Sequence, residues 1–235
     1  MTRASVASRR TPATDKADPQ RTREKLLKAA AEVFAETGYD GAAVREICAR
    51  AGTNIALVNY YFGDKLGLYT EVLQQSVRSS HVDAIQGALE QKGTPEQILR
   101  AVIRARVRGI GTGGLANQQL RIVIHELGRP TPAIARVVKN IARPVYDRVL
   151  TLIGEIIGLA PEDEKTRLCA HSVMGQIMLY ALARPFLTRL WPELKMTPDQ
   201  LDRIADHIAD FSLAYLDEAK RENEAAAAKT RRLEK

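Results

Sequence analysis

Two cysteines in 235 residues, Cys48 and Cys169, are too few and too far apart to form a disulfide framework, and a reducing, cytoplasmic setting is expected. Aromatic residues make up only 5% of the chain, and no stretch alternates apolar and polar residues for a useful length. Strands are therefore not expected. No apolar run approaches the roughly 18–20 residues needed to cross a bilayer. The best candidate, "VLTLIGEIIGLA", is short and carries Glu155. Catalytic signatures are equally scarce. The histidines His81, His125, His171 and His207 stand alone, with no second His or Cys at metal-ligand spacing. No nucleophile–base arrangement follows from spacing. The glycine-rich "RGIGTGG" at 108–114 lacks both the preceding strand and the following Lys-Ser/Thr of a phosphate loop. It reads as a connector, and neither an enzyme nor a metal site is expected.

What the chain does have is helix-forming material. Apolar residues make up 45% and charged residues 27%, with Ala, Leu, Arg and Glu abundant. The net charge of +7 suits a polyanionic partner. Residues 1–65, however, hold eleven Lys/Arg against eight Asp/Glu, so charge alone does not locate a binding face.

The expected fold is all-α. Residues 1–17 read as a disordered basic arm with Arg3, Arg9 and Arg10. Residues 18–65 form a small helical unit, 66–219 a larger helical bundle and 220–235 a polar tail. In the first helix Leu26, Ala30, Val33 and Phe34 share one stripe; Asp18-Pro19 starts it and Gly38 stops it. Val44, Ile47, Cys48 and Ala51 mark a short second stripe closed by Gly52, and Asp64 caps a helix through Leu68, Val72 and Gln75. Thr94-Pro95-Glu96-Gln97 and Thr197-Pro198-Asp199-Gln200 both have the composition of a capping box with proline in the first turn. Thr131-Pro132 repeats the first half. Helices are expected near 95–109, 116–127, 131–157, 161–189 and 197–219, with Pro144 kinking or breaking the third at a cost of about 3 kcal/mol if unrelieved.

The chemistry concentrates in "TNIALVNYYFGDK", residues 53–65. Helices at 44–51 and 55–61, joined through Gly52, have the shape of a helix-turn-helix, with Asn54 capping the second. Val58 and Phe62 can pack on Ile47, leaving Ile55, Ala56, Leu57, Asn59 and Tyr60 facing outward or sideways. Adjacent tyrosines cannot both be buried on one helix face. Small, apolar and amide side chains suit a DNA major groove, where Asn pairs with adenine and methyl groups meet thymine. Tyrosine hydroxyls, Lys65 and the helix N-terminus at Thr53 and Asn54 can hold phosphates. On these residues alone, an internal helix junction packed by Tyr60 and Tyr61 is the competing interpretation.

"AAAEVFAETGYDGAAVREICARAGTNIALVNYYFGDKLGLYTEVL" resembles the DNA-binding domain of TetR-family transcriptional regulators without a gap over roughly 22–73. The marks are Phe34…Gly38-Tyr39, Val44-Arg45-Glu46-Ile47, Ala51-Gly52 and Tyr60-Tyr61-Phe62 followed by Lys65. The resemblance implies a homodimer, a helical ligand-binding and dimerisation domain, and no cofactor. By position it places Arg45 on the supporting helix, reaching DNA. Ile55, Ala56, Leu57 and Asn59 fall on the recognition helix, and Tyr60, Tyr61 and Lys65 at phosphates. Ala42 and Ala43 depart from it, standing where the family has a capping Ser or Thr; Asp40 is the available substitute. Gly67 replaces an acidic residue. The segments "ELGRPTPAIARVV" and "ALARPFLTRLWP" are similar to a subgroup linked to antibiotic sensitivity and efflux control.

The function expected is that of a ligand-responsive repressor, a homodimer on a near-palindromic operator, released by a small-molecule effector. Arg121 and His125, one turn apart, are candidate pocket residues. Gln176 and Tyr180 lie on a stripe with Cys169 and Val173 that lines either the pocket or the dimer seam.

Overall fold

The computed structural model describes residues 18–78, 82–110 and 115–233, and every regular element among them is helical. The basic arm, His81 and the glycines at 111–114 lie outside the described residues. Helix α1 (Pro19–Gly41) begins where expected: Asp18 Oδ1 accepts from the Gln20 amide at 3.1 Å, with proline in the first turn. Gly38 takes φ +69°, so the regular helix ends there and a further turn carries the chain to Gly41. Helices α2 (Val44–Ala51), α3 (Ile55–Phe62) and α4 (Lys65–Val77) follow.

The larger part comprises α5 (Asp83–Leu89), α6 (Pro95–Arg108), α7 (Leu115–Gly128), α8 (Ala133–Val137), α9 (Arg143–Ile157), α10 (Glu164–Leu182), α11 (Arg184–Leu190) and α12 (Pro198–Leu233). The short α5 was not anticipated. At the start of α6 the Thr94 hydroxyl accepts from the Gln97 amide at 3.3 Å, and Gln97 Oε1 accepts from the Thr94 amide at 3.0 Å. The box is complete. At α12 only half of it forms, because Gln200 Oε1 accepts from the Lys195 amide at 2.8 Å instead.

Pro144 does not break the chain between α8 and α9. One wide turn, Val138–Ala142, bonds in the i→i+5 pattern, with the Arg143 amide reaching the Val138 carbonyl. Pro144 thereby enters in the first turn of α9, where no amide donor is required. The predicted 161–189 helix starts later, at Glu164, and divides at Ala183, just ahead of Arg184-Pro185.

Two main cores result. The first joins Leu26, Val33, Phe34, Ile47, Val58, Leu68, Tyr69 and Val72 from α1–α4 with Ile122 of α7 and Val137 of α8. The head therefore does not close at residue 65, since α4, α7 and α8 complete its interior. The second core packs Leu99 and Ile103 of α6 against Ile153 and Ile157 of α9, Ile177 of α10, and Ile204 and Ile208 of α12. Along its edge α6 and α12 are antiparallel and laced by three pairs, Arg100–Asp210 at 2.6 Å, Arg104–Asp206 at 2.5 Å and Arg108–Asp202 at 2.6 Å.

Candidate nucleic-acid interface

The turn between α2 and α3 is built by backbone rather than side chains. Gly52 adopts φ +63° and ψ +39°, its amide meets the Ala49 carbonyl at 3.2 Å, and the Thr53 amide meets that of Cys48 at 2.9 Å. Asn54 Oδ1 accepts from the Leu57 amide at 3.2 Å and caps α3, so its side chain serves the helix start. Gly63 at φ +81° ends α3, and Asp64 Oδ1 caps α4 through the Gly67 amide at 2.7 Å. A Cβ on Gly67 would collide with the Phe62 carbonyl oxygen. That close passage accounts for the departure at 67: the α3–α4 corner here requires glycine.

Val58 and Ile47 are fully buried against each other's helices. The opposite face of α3 presents Ile55, Ala56, Asn59 and Tyr60, all exposed, with Tyr60 at 78%. Leu57 turns sideways and is half-buried at the edge of the head's core. The adjacent tyrosines divide, and Tyr61, expected beside Tyr60 at phosphates, is half-buried. Tyr61 packs inward, and the Tyr60 ring stands edge-on to it at 4.9 Å. Thr53 differs from the expectation: its hydroxyl oxygen is sealed from solvent and without a hydrogen-bond partner among the described residues.

Arg45 is exposed on α2. Lys65 Nζ lies 4.6 Å from the centre of the Tyr39 ring and 3.5 Å from the Asp40 carbonyl oxygen. This cation–π rest holds the ammonium beside α3. The sequence reading missed Tyr39 in this role. The head is braced from behind: Arg50 bonds Glu36 at 2.8 and 3.0 Å and Glu46 at 2.6 Å, and Arg23 pairs with Glu71 while lying over the Phe62 ring. The hydrogen bond from Arg50 holds the Glu36 carboxyl below its ordinary range. The start of α2 is unbraced. Ala43 offers no side-chain cap, and Asp40 does not substitute, because its carboxylate faces Arg129 at 3.5 Å.

The four candidate pocket residues are not brought together. Arg121 is exposed, and a Cβ on Gly38 would stand 3.2 Å from His125 Nδ1, at the α1–α7 contact. Gln176 donates to Ser212 Oγ at 3.2 Å within the same chain, and Tyr180 packs on the second core beside Cys169 and Val173. Gln176 and Tyr180 are both half-buried against the chain's own second core. A cavity of about 240 Å³ opens elsewhere, between the end of α4, α5 and the wide turn, lined by Arg78, Val82, Asp83, Gln86, Asn140, Ile141 and Pro144. Among the described residues no three acidic, His or Cys side chains stand together to hold a metal, and no helix is long and apolar enough to cross a membrane.

Comparison with known proteins agrees with the geometry at both ends of the chain. Residues 26–72 match the family described as bacterial regulatory proteins, tetR family, and residues 95–216 match the C-terminal domain of the HTH-type transcriptional dual regulator CecR. The Shigella flexneri dual regulator CecR is 28% identical, over 70% of this chain and 78% of its own length. The transcriptional activator FasR of Mycolicibacterium smegmatis is 33% identical, over 65% of this chain and 67% of its own. A solved structure, of a candidate transcriptional regulator from Pseudomonas aeruginosa PAO1, shares the fold with a TM-score of 0.65 at 22% identity, covering 86% of this chain and 95% of that one. With a helix-turn-helix head whose second helix shows an exposed outer face, and a C-terminal domain of the CecR type, the chain belongs to the TetR family of DNA-binding transcriptional regulators.

Proposed function

We propose that this protein is a cytoplasmic, effector-responsive repressor that binds a near-palindromic operator as a homodimer and leaves it when a small molecule occupies the C-terminal bundle. The observation that carries the DNA reading is the outer face of α3. Ile55, Ala56, Asn59 and Tyr60 stand exposed together, with Lys65 held at one side and Arg45 exposed on α2. Ile55 and Ala56 supply methyl contacts, Asn59 an amide for adenine, and Tyr60, Lys65 and Arg45 phosphate contacts. The N-terminal amides of α3 offer a further anion contact in place of the Thr53 hydroxyl.

The homodimer reading rests on an apolar strip that no described residue of the same chain covers. Leu168, Leu179 and Leu182 of α10, Phe186 and Leu190 of α11, and Phe211 and Tyr215 of α12 are all exposed. Two copies meeting there by a two-fold axis would bury this strip in a self-complementary seam. The heads would then engage successive major grooves about 34–36 Å apart.

Release requires the effector to favour the chain conformation whose heads are misaligned, since equal affinity for both conformations shifts nothing. The mechanical link is α4, whose Tyr69 sits in the head's core and bonds α7 of the effector half. Where an operator overlaps a promoter, occupancy blocks transcription. That is the sense in which repression is proposed, although CecR is a dual regulator and FasR an activator.

A gel-shift titration on the DNA upstream of the protein's own gene tests the reading. A discrete complex with two heads per site, competed only by the same sequence, is expected. Binding that all duplexes compete equally would overturn it.

A further inference from the structure

Arg106 of α6 is unlike the arginines around it. Arg100, Arg104 and Arg108 each reach an aspartate of α12. Arg106 points the other way, toward α10. The residue as a whole is partly exposed, yet its Nη1 is sealed from solvent and has no hydrogen-bond partner among the described residues. Its Nη2 meets the Met178 sulfur, at 3.9 Å, which is a weak acceptor. No carboxylate pairs with it among the described residues. Burial lowers its pKa to about 10, so at neutral pH a full positive charge sits there uncompensated. A buried charge without a partner is costly, and breaking such a site's pairing normally destabilises a fold. The two helices it stands between share an apolar core, to which Val107 and Ile110 of α6 and Val173, Ile177 and Ala181 of α10 belong.

We propose that Arg106 is the anchor of the effector site, and that it receives the carboxylate of a small amphipathic monoanion whose apolar part lies between α6 and α10. This inference rests on the effector-responsive reading above and names the ligand's chemical class. The guanidinium fork matches a carboxylate bidentately. One carboxylate neutralises one guanidinium, whereas a phosphate monoester would leave excess negative charge in an apolar wall. Met178 occupies the acceptor's place, and its flexible thioether can swing aside as the acid enters.

The probes are octanoate and its neutral counterpart octan-1-ol, applied to the full chain in thermal-shift and calorimetric titrations. At a hundredfold excess over its Kd, octanoate is expected to raise the wild-type Tm by about 5–10 °C. Octan-1-ol at equal concentration should do far less. Arg106→Met is expected to unfold no earlier than wild type, because an unpaired buried charge is removed, and to lose octanoate binding at least tenfold. Should that variant fold poorly, Arg106→Lys keeps the charge without the fork and should still bind octanoate at least tenfold more weakly. The assignment is overturned if octanoate does not bind, if both probes act alike, or if either variant binds octanoate as wild type does. Operator binding by unliganded protein is measured alongside. Intact operator binding with no octanoate effect on Tm sinks this inference alone, and octanoate binding without any change in operator affinity sinks the effector reading instead.

Discussion

The Tyr69 hydroxyl donates to Glu126 Oε2 at 2.8 Å, deep inside the molecule, and this bond joins the helix-turn-helix head to the C-terminal domain. Glu126 also accepts from the Thr131 amide at 2.9 Å and from its hydroxyl at 3.1 Å. Phe34 and Tyr39 close on the Tyr69 ring at 4.8 and 5.0 Å. Helix α4 is thus held from both sides by one side chain.

Tyr69→Phe should lower stability by about 1–3 kcal/mol, the usual cost of leaving a buried polar group short of a partner. It should also change the alkaline limb. Burial and then the Glu126 carboxylate raise the Tyr69 pKa far above its ordinary value. The folded state therefore favours the protonated phenol. Its contribution is complete below the unfolded-state pKa near 10 and is lost as pH rises beyond it. Urea titrations at pH 8 and pH 11 should show a smaller alkaline loss for Tyr69→Phe than for wild type.

Lys65→Ala and Asn59→Ala separate holding from reading. Lys65→Ala should weaken binding across all sequences and flatten the log K against log salt slope by about 0.9. Asn59→Ala should leave that slope unchanged and relax preference at one base pair, by roughly 1–3 kcal/mol. A salt series on operator and scrambled duplex measures both.

Ala43→Ser should stabilise the chain by about 1 kcal/mol. The backbone at Ala43 is already extended, φ −100° and ψ 128°, and the first amides of α2 have no side-chain acceptor. A rise in the urea midpoint at unchanged m-value is the expected readout.

Phe211→Glu tests the proposed homodimer and should leave it a monomer. Phe211 is 64% exposed in the single chain and stands one turn from Tyr215 on α12. Placing a charge on each copy at a two-fold seam puts like charges together in an apolar contact. Light scattering should report the halved mass, and operator affinity should fall with it.

Much of this structure was legible before any coordinates. Asp18, Thr94 and Asp64 announced their helices because a cap is a local device, made by residues two or three apart. The outward and sideways set on α3 was readable for the same reason, with Leu57 taking the sideways place at the edge of the head's core, whereas the sealed Thr53 hydroxyl was not. The wide turn ahead of Pro144 was not readable, since periodicity shows that proline is unwelcome but not how the preceding helix relieves it. Neither was the solitude of Arg106. Its spacing equals that of any helical arginine, and only the tertiary arrangement shows that α12's aspartates serve its neighbours and not itself.

The Arg–Asp lacing of α6 to α12 has steps of four residues on both helices. If one helix slipped past the other by a single turn, Arg100 would meet Asp206 and Arg104 would meet Asp202, so two of three ion pairs would survive. Charge therefore sets the spacing of the stops but hardly chooses among them. That choice falls to the interlocking of Leu99 and Ile103 with Ile204 and Ile208, and a molecule wedged into that apolar contact would find the next detent already wired.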